Sequence, residues 1–309
     1  MRSAPAGTEK APDPALEILR NVRRIEIRSR RLVQELFSGS YHTVFKGRGI
    51  EFSEVRGYVP GDDIRSIDWN VTARMGHPYV KLFHEERERS VVFLVDRSAS
   101  TRFGSSRRTL SLAAAEATAL LAFSAAVNQD KVGLLLYSDR TEKWVPPKKG
   151  RPHVLRLLRE VLEEPEPDRG TRLGAGLEQA TRMLRRRTIL FVVSDFLVDP
   201  EELRHPLAVA ARKHEVVPLV LVDPRQERHP AVGLVPVFDL ETGRRAVVDT
   251  SDPRTRAALE ARTRAMAEER ERVFRRAGVE GVELRLDEDT VAPLVAYFRR
   301  RERWRAAGR

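Results

Sequence analysis

The chain has 309 residues, contains no cysteine, and carries 56 Lys and Arg residues against 45 Asp and Glu residues, a formal net charge of +11. The absence of cysteine excludes disulfide bonds, thiolate zinc sites and cysteine nucleophiles. A hydrophobic fraction of 41% is enough for a packed core, so the chain is not predicted to be disordered as a whole. The basic balance favours anionic partners but does not determine the fold.

The first part of the chain differs from the rest in residue composition and hydrophobic pattern. Residues 1–13 are rich in small residues and proline and predict a flexible tail. Apolar residues at near-helical spacing over 14–37 predict an amphipathic helix. Between 41 and 83, the short β-like runs "YHTVFKG", "IEFSEVRGYV" and "YVKLF" are separated by Gly and Pro. We therefore assign residues 14–89 to an N-terminal helix and a small β subdomain.

From residue 90 onwards, apolar strands alternate with helices. The strands are "VVFLVD", "KVGLLLYS", "TILFVVSD", "EVVPLVLVD" and "GVELRL", with a short "TEKWVP" and a hairpin near 232–249. Helices are predicted near 106–127, 151–164, 172–186, 200–212 and 252–277, and from about 290. This alternation predicts an α/β domain over 90–309, with a mostly parallel sheet flanked by helices and a hairpin insertion at 223–251.

The stretch "LSLAAAEATALLAFSAAV" at 110–127 is apolar enough to resemble a membrane span. It contains Glu116 and several hydroxyl side chains, and it directly follows a buried strand. A span requires about 20 apolar residues without charge. We therefore predict a helix packed against the sheet, and we expect the protein to be cytoplasmic.

Oxygen-bearing side chains follow two predicted strands and precede one helix. "SVVFLVDRSAS" places Asp96, Ser98 and Ser100 directly after an apolar strand. "RGTRLGAGLEQA" places Thr171 at the start of a helix, and "TILFVVSD" ends in Asp195. Ligands of open α/β sheets lie beyond the carboxyl ends of the strands. If these strands are neighbours, two carboxylates and three hydroxyls converge on one edge.

This set of oxygen ligands suits Mg²⁺, with Mn²⁺ or Ca²⁺ as alternatives, because Mg²⁺ prefers oxygen atoms and keeps positions for water or an exogenous ligand. Two carboxylates neutralise the charge of the ion without a surplus. An open position then accepts a carboxylate from a partner. The set therefore predicts a metal-bridged binding site and no catalytic residues.

Each motif alone also has a local explanation. Asp, Ser and Thr at a strand end or helix start are common N-caps, because their oxygens accept hydrogen bonds from free helix amides. The metal interpretation depends on finding all three motifs in this order, each at the predicted edge.

The order DxSxS, then Thr, then Asp resembles the metal-ion-dependent adhesion site of a von Willebrand factor A domain. The stretch "GRGIEFSEVRGYVPGDDIRSIDWNVTARMGHPYVKLFHEERERSVVFLVDRSAS", residues 47–100, is similar to the signature of the prokaryotic domain-of-unknown-function fifty-eight family. Members of that family carry a von Willebrand A-like domain. The resemblance therefore implies a von Willebrand A-like, Rossmann-like fold for residues 90–309.

Transferred residue by residue, the resemblance implies a first metal loop, a second and a third, formed respectively by Asp96, Ser98 and Ser100, by Thr171, and by Asp195. In such sites the serines usually bind the ion directly and the acids often act through water. One departure is Thr101, where related proteins often have an apolar residue. This departure bears on local packing and not on the metal.

The resemblance also implies a partner. Genes of this family often lie beside those of MoxR-type AAA+ ATPases, so the family relationship implies an adaptor or partner of such an ATPase. No residue of this chain shows that pairing. Many relatives carry membrane segments, whereas we predict none here.

The segment "YVPGDDIRSIDWNVTAR" contains Asp62, Asp63 and Asp68 interleaved with Arg65 and Arg74. These residues suit an acid/base pair or a second metal site. We favour an ion-pair and hydrogen-bond network that locks the front unit to the sheet, with Trp69 packed within it, since charges of low exposure are normally paired.

Two further functions remain as alternatives. "PPKKGRPH" at 146–153 and "YFRRRERWRAAGR" at 297–309 combine basic side chains with Tyr297, Phe298 and Trp304, a mixture that suits phosphates and bases. A nucleic-acid-binding protein with Arg-rich surfaces is therefore one alternative. A metal-dependent hydrolase is the other, although the sequence offers no clear acid-base pair or phosphate-binding loop.

Overall fold

The computed structural model describes residues 20, 22–27, 50–85, 89–105, 108–163, 170–238 and 245–306. They fall into two compact units, one within residues 45–89 and one that combines residues within 1–44 and 90–309. The sequence also placed a boundary after residue 89. It grouped residues 14–89 together, however, whereas helical residues 22–27 belong to the larger unit. The predicted tail at 1–13 and the run "YHTVFKG" lie outside the described residues.

The smaller unit contains a pair of antiparallel strands, β1 (Ile50–Gly57) and β2 (Tyr79–Glu85). Between them lie a 3-10 turn, Ile64–Ser66, and helix α1, Trp69–Met75, which was not predicted. Helix α1 begins where the Asp68 carboxylate accepts hydrogen bonds from two free backbone amides. It ends at Gly76, whose φ of 76° suits a residue without a side chain.

The larger unit alternates strands and helices. Its strands are β3 (Ser90–Asp96), β4 (Lys131–Tyr137), β5 (Thr141–Lys148), β6 (Ile189–Ser194), β7 (Glu215–Val222), β8 (Leu234–Phe238), β9 (Arg245–Asp249) and β10 (Val282–Arg285). Its longer α-helices are α2 (Leu110–Val127), α3 (Arg151–Leu162), α4 (Leu173–Met183), α5 (Pro200–Lys213), α7 (Pro253–Ala277) and α8 (Val291–Ala306). A single turn, α6 (Pro224–Glu227), follows β7.

Six of these strands form one sheet in the order β10-β7-β6-β3-β4-β5. All neighbours are parallel except β4 and β5, which are antiparallel. Strands β3, β6 and β7 are apolar along nearly their whole length and are buried, because helices cover both faces. The predicted α/β class with a mostly parallel sheet flanked by helices is confirmed. Strands β8 and β9 pair separately, as the predicted hairpin.

Helix α2 is the apolar stretch that resembled a membrane span. By length and composition alone it is the one helix among the described residues that is long and apolar enough to cross a bilayer. Inside the larger unit, 72% of its residues are buried. This burial is what a helix packed against the sheet requires.

The parallel part of the sheet has two edges that carry different side chains. The carboxyl edge is where β3, β4, β6 and β7 end; Asp96 lies opposite Tyr137, and Ser194 lies opposite Val220. The amino edge is where β6, β7 and β10 begin. The eight residues of β7 separate the two edges by about 26 Å.

Candidate metal site at the carboxyl edge

The two predicted acidic ligands end neighbouring strands. Asp96 is the last residue of β3, and Asp195 directly follows β6, which is hydrogen-bonded to β3 along its length. Each residue is only 4% exposed. The parallel register therefore brings two buried carboxylates to one place on the carboxyl edge, as the sequence predicted from separate motifs.

The loop after β3 brings two hydroxyls to the same place. The Ser98 backbone amide donates to Asp96 Oδ1 at 2.8 Å, and the Ser98 and Ser100 hydroxyl oxygens lie 3.0 Å apart. Ser98 precedes the 3-10 turn Ala99–Arg102, but its side chain makes no capping hydrogen bond. The cap of α2 is supplied further on by Thr109. Helix capping therefore does not account for the two serine hydroxyls.

Asp195 has an oxygen atom without a partner. Its Oδ1 accepts a hydrogen bond from the Leu197 amide at 3.0 Å, whereas its buried Oδ2 has no hydrogen-bond partner among the described residues. The next residue, Phe196, has a φ of 54°, which is strained for a bulky side chain. Strained backbone of this kind persists where the surrounding structure fixes it and is concentrated at functional sites.

Ser194 is a member of the cluster that the metal-ligand pattern did not include. Its hydroxyl is fully buried and donates to Asp96 Oδ2 at 2.7 Å, while it accepts from the Phe196 amide at 3.0 Å. This bond fixes the orientation of the Asp96 carboxylate. The Ser-Asp pair that ends "TILFVVSD" thus supplies a positioning hydroxyl and an acid from consecutive residues.

Burial dominates the electrostatics of the two acids. Desolvation and the charge of Asp195 raise the pKa of Asp96 from 3.8 to about 7, against the opposing effect of its hydrogen bonds. Desolvation also raises the pKa of Asp195, while the Leu197 amide and the Ser100 hydroxyl favour its charged form. Within the described residues, neither carboxylate forms an ion pair with a basic side chain. The charge of Arg270 also favours the ionised form of Asp195, but it does not offset the effect of burial.

Thr171 lies at the same edge without bonding to the cluster. The amide of the next residue, Arg172, donates to the carbonyl of Ser138, directly beyond the end of β4. Helix α4 begins at Leu173, and its N-cap residue, Arg172, makes no side-chain capping bond. Thr171 is not the N-cap, and it forms no hydrogen bond among the described residues. Its hydroxyl is placed near the edge with no local structural task.

Arg97 anchors the loop after β3 to neighbouring elements of the fold. It is 8% exposed, its Nη2 donates to the Glu163 carbonyl at 2.6 Å, and its Nη1 lies 3.7 Å from Glu142. Its backbone amide donates to the Tyr137 carbonyl at 2.7 Å. The loop is therefore fastened to β4, β5 and the end of α3, so that Ser98 and Ser100 need little reordering to act together.

The cluster fits a small divalent cation by its chemistry. It combines two buried acids that form no ion pair among the described residues, a carboxylate oxygen without a hydrogen-bond partner there, and two adjacent hydroxyls, all of them oxygen ligands. Within the described residues there is no group of three or more His, Cys, Asp or Glu side chains suited to a metal. A cation here would therefore depend on hydroxyls for the rest of its protein ligands.

Sequence reasoning missed another acid at this edge. Asp223 follows β7 and is fully buried, and its carboxylate accepts from the backbone amide and the hydroxyl of Ser105. It also caps α6 by accepting from the Arg225 amide. The signal was present in "EVVPLVLVD", which ends in Asp after an apolar strand as β3 does. This contact ties the far end of the β3–α2 loop to β7.

The predicted network around Asp62, Asp63 and Asp68 is present with different partners. Asp62 pairs with Arg56 at 2.7 Å, and Asp68 lies 3.4 Å from Lys81 while it caps α1. Asp63 is the N-cap of the 3-10 turn Ile64–Ser66. The expectation that Arg65 and Arg74 are the partners is wrong, because the acids meet basic side chains of β1 and β2 instead.

Trp69 also differs from its prediction. Its side chain is 68% exposed, so it does not pack within the network. It is the first residue of α1 and follows the capping Asp68. The ion pairs of Asp62 and Asp68 join residues within 56–81.

The chain matches a known family and several proteins along most of its length. The family model described as "Protein of unknown function DUF58" matches residues 54–270. Uncharacterized proteins of Mycobacterium bovis and Mycobacterium tuberculosis are each 33% identical over 293 residues, which is 93% of this chain and 90% of theirs. An uncharacterized protein of Mycobacterium avium is 32% identical over 171 residues, 53% of this chain and 98% of that protein.

Solved structures show a more distant likeness. The conserved hypothetical protein BatB of Bacteroides thetaiotaomicron aligns with a TM-score of 0.45 and 17% identity, covering 72% of this chain and 100% of that one. The SpRpn10 VWA domain aligns with a TM-score of 0.39 and 13% identity, covering 68% and 94%. The fold assignment rests on the strand order of this chain itself.

Proposed function

This chain belongs to the DUF58 family, and we propose that it is a non-catalytic protein-interaction module that holds Mg²⁺ at the carboxyl edge of its sheet. The proposed ligands are Asp96, Ser98, Ser100, Thr171 and Asp195. The observation that carries this proposal is the buried, unpartnered Oδ2 of Asp195 beside a second buried carboxylate and a pair of hydroxyls.

The bound ion would supply an electrophilic position open to a carboxylate from a partner. The residues of the chain have separate tasks in this arrangement. Ser194 orients the Asp96 carboxylate, the Leu197 amide holds one oxygen of Asp195, and Arg97 fastens the loop that carries Ser98 and Ser100. A nucleophile or acid-base residue is not required, which is why we propose binding without catalysis.

Metal binding is tested by titration of the EDTA-treated full chain with Mg²⁺, followed by calorimetry and thermal unfolding. We expect saturable binding and a rise in the unfolding free energy of about 2.7 kcal/mol at 100 times Kd, since the ion binds only the folded site. Asp96→Ala should abolish both effects. Asp139→Asn, which removes an exposed carboxylate near the same edge, should preserve them.

Two results would contradict the metal site. One is the absence of saturable binding of Mg²⁺, Mn²⁺ and Ca²⁺ by the folded wild-type chain. The other is equal weakening of binding by Asp96→Ala and Asp139→Asn, which would indicate diffuse attraction to surface charge. Circular dichroism of each variant establishes that the comparison is made between folded proteins.

The proposed partner offers an acidic residue, and the family relationship favours a MoxR-type AAA+ ATPase in complex assembly or maturation. A purified ATPase of this type should be retained on the immobilised chain in Mg²⁺ and released by EDTA. Asp96→Ala should fail to retain it under both conditions. Equal capture in Mg²⁺ and in EDTA would exclude the metal bridge.

We further propose a cytoplasmic location, which fractionation of cells expressing the tagged chain would test.

A further inference from the structure

A cleft of about 310 Å³ opens at the amino edge of the sheet, on the side opposite to the proposed metal site. Its volume lies at the lower limit of pockets that bind small molecules, which begin at about 300 Å³. Its walls come from the segment before β6, the start of β7, the turn between α7 and β10, and helix α8. The main lining residues are Arg187, His214, Glu215, Glu280, Arg301 and Trp304.

Buried polar atoms without partners line this cleft. His214 is 2% exposed; its ring lies near the backbone of Arg186, and among the described residues neither ring nitrogen makes a hydrogen bond of good geometry. Glu280 Oε2 is likewise buried and unpartnered. A buried polar group left without a hydrogen bond destabilises the folded protein. A ligand that donates and accepts hydrogen bonds would remove this cost.

Two basic and two acidic side chains line the cleft, and among the described residues Arg187 is the one of the four without an ion-pair partner. The two carboxylates are neutralised, since Glu215 pairs with Arg301 at 2.7 Å and Glu280 pairs with Arg300. Arg187 is exposed and forms no ion pair within the described part of the chain. Three more exposed basic residues near the ends of α4 and α5 also form no ion pair with an acid in that part: Arg185, Arg212 and Lys213. The unpaired guanidinium of Arg187 at the cleft suits a phosphate.

Trp304 adds a flat apolar wall. Of the three aromatic residues in the last helix, Tyr297 and Phe298 are buried at 2% and 0% exposure, so they belong to the core and cannot receive a base. Trp304 is 49% exposed and lines the cleft. Stacking of a base on an aromatic side chain contributes about 1 to 3 kcal/mol. The structure thus selects one of the aromatic residues that the sequence offered.

We propose that this cleft binds a nucleoside phosphate unit, with its base against Trp304 and its phosphate at Arg187. Glu280 and His214 would supply the acceptor and the ring nitrogens for the polar edge of the base. The unit comes either as a free nucleotide or as part of a single strand of nucleic acid. This site is separate from the proposed metal site and does not depend on it.

The test uses calorimetry on the full chain in EDTA with AMP, ATP, inorganic phosphate and a ten-nucleotide single-stranded RNA. We expect saturable binding of AMP, weaker binding of phosphate alone, and at least about a ten-fold loss of affinity in Arg187→Gln, since hydrogen bonds to a charged group are worth about 1.5 to 3 kcal/mol. Trp304→Leu should weaken AMP binding while phosphate binding stays unchanged. Asp96→Ala should bind AMP as the wild type does.

Arg264→Gln is the matched control, because Arg264 is an exposed arginine of α7 that lies far from the cleft. Along the helix axis it is about 21 Å from Gly278, which lines the cleft. This variant should bind AMP normally. RNA binding without AMP binding, if sensitive to Arg187→Gln and Trp304→Leu, would assign the site to a strand. Absence of binding of both, equal losses in Arg264→Gln and Arg187→Gln, or displacement of AMP by polyglutamate at equal charge concentration would overturn the proposal.

Discussion

The two edges of the same sheet have opposite electrostatic character. At the carboxyl edge, Asp96 and Asp195 are buried together without a basic partner among the described residues, and the pKa of each acid is raised. At the amino edge, His214 is buried beside basic side chains, and desolvation lowers its pKa. Parallel strands direct all their carboxyl ends to one edge, so residues that end strands collect there and residues that begin strands collect opposite. Burial therefore disfavours negative charge on the acids of one edge and positive charge on the imidazole of the other.

The largest expected effect concerns the pH dependence of the metal-free protein. An acid whose pKa is about 7 in the folded state and 3.8 when unfolded keeps its proton only when folded, so folding stability falls as the pH rises from about 4 to about 7. Each unit of pKa difference corresponds to about 1.4 kcal/mol. In EDTA, Asp96→Asn should remove most of this loss and exceed the wild type in stability at pH 8, as measured by urea unfolding.

This prediction separates a strained acidic pair from an ordinary buried network. Asp139→Asn, the exposed control, should keep the wild-type pH profile. If Asp96→Asn is less stable than the wild type at pH 8 in EDTA, the carboxylate is compensated in the folded protein and the carboxyl edge does not need a cation.

An intermediate effect is expected from the packing of helix α4, which follows Thr171. A Cβ atom at Gly174 would lie 2.6 Å from the backbone carbonyl oxygen of Glu202, whereas one at Gly176 would meet side-chain ring atoms of Tyr137 at 2.9 Å. Gly174→Ala should destabilise the protein by about 1 to 3 kcal/mol in urea unfolding, because overpacking forces a backbone shift. It should weaken Mg²⁺ binding and leave AMP binding unchanged.

Gly176→Ala is the matched control, since it gains the same helix propensity in the same helix. Its loss of stability should be smaller than that of Gly174→Ala. Equal stability of the two variants would contradict the packing prediction, whereas weaker AMP binding in Gly174→Ala would show that the two edges do not respond independently.

The smallest effect is expected at the amino edge. A buried His with a lowered pKa resists protonation when folded, so its contribution to stability is present above the unfolded pKa near 6.5 and is lost as the pH falls towards the lower folded value. His214→Gln should flatten the stability profile below pH 6.5 and leave it unchanged between pH 7 and 8. A parallel measurement on His205→Gln, an exposed position on α5, controls for histidine titration in general. An unchanged slope in His214→Gln would show that His214 does not resist protonation.

Much of the architecture was predictable because apolar runs and helix signals are local. The runs that end in Asp96 and Asp195 mark buried strands, and the Ala-rich stretch after the first of them marks a core helix. Helix α1 was missed because it has only seven residues and follows an aspartate-rich turn, so its apolar pattern is too short to show a helical period. Its capping residue, Asp68, was noticed but was interpreted as part of an ion-pair network.

The candidate site was predictable to a smaller extent. Asp96, Ser98 and Ser100 share one loop, so their proximity follows from the spacing. The contact of Ser194 with Asp96 joins residues 98 positions apart, and that of Ser105 with Asp223 joins residues 118 apart. No local pattern specifies such pairs, since they depend on strand order.

The sequence by itself determined an α/β chain whose strands end in acids and hydroxyls, because hydrophobic periodicity and residue chemistry can be read locally. Only the tertiary structure decided which strands are neighbours and therefore which polar ends meet: Asp96 with Asp195 and Ser194 at one edge, and Arg187 with His214 and Trp304 at the other. It also decided which of these groups are buried, and loss of contact with water raises the pKa of the two carboxylates and lowers that of the imidazole.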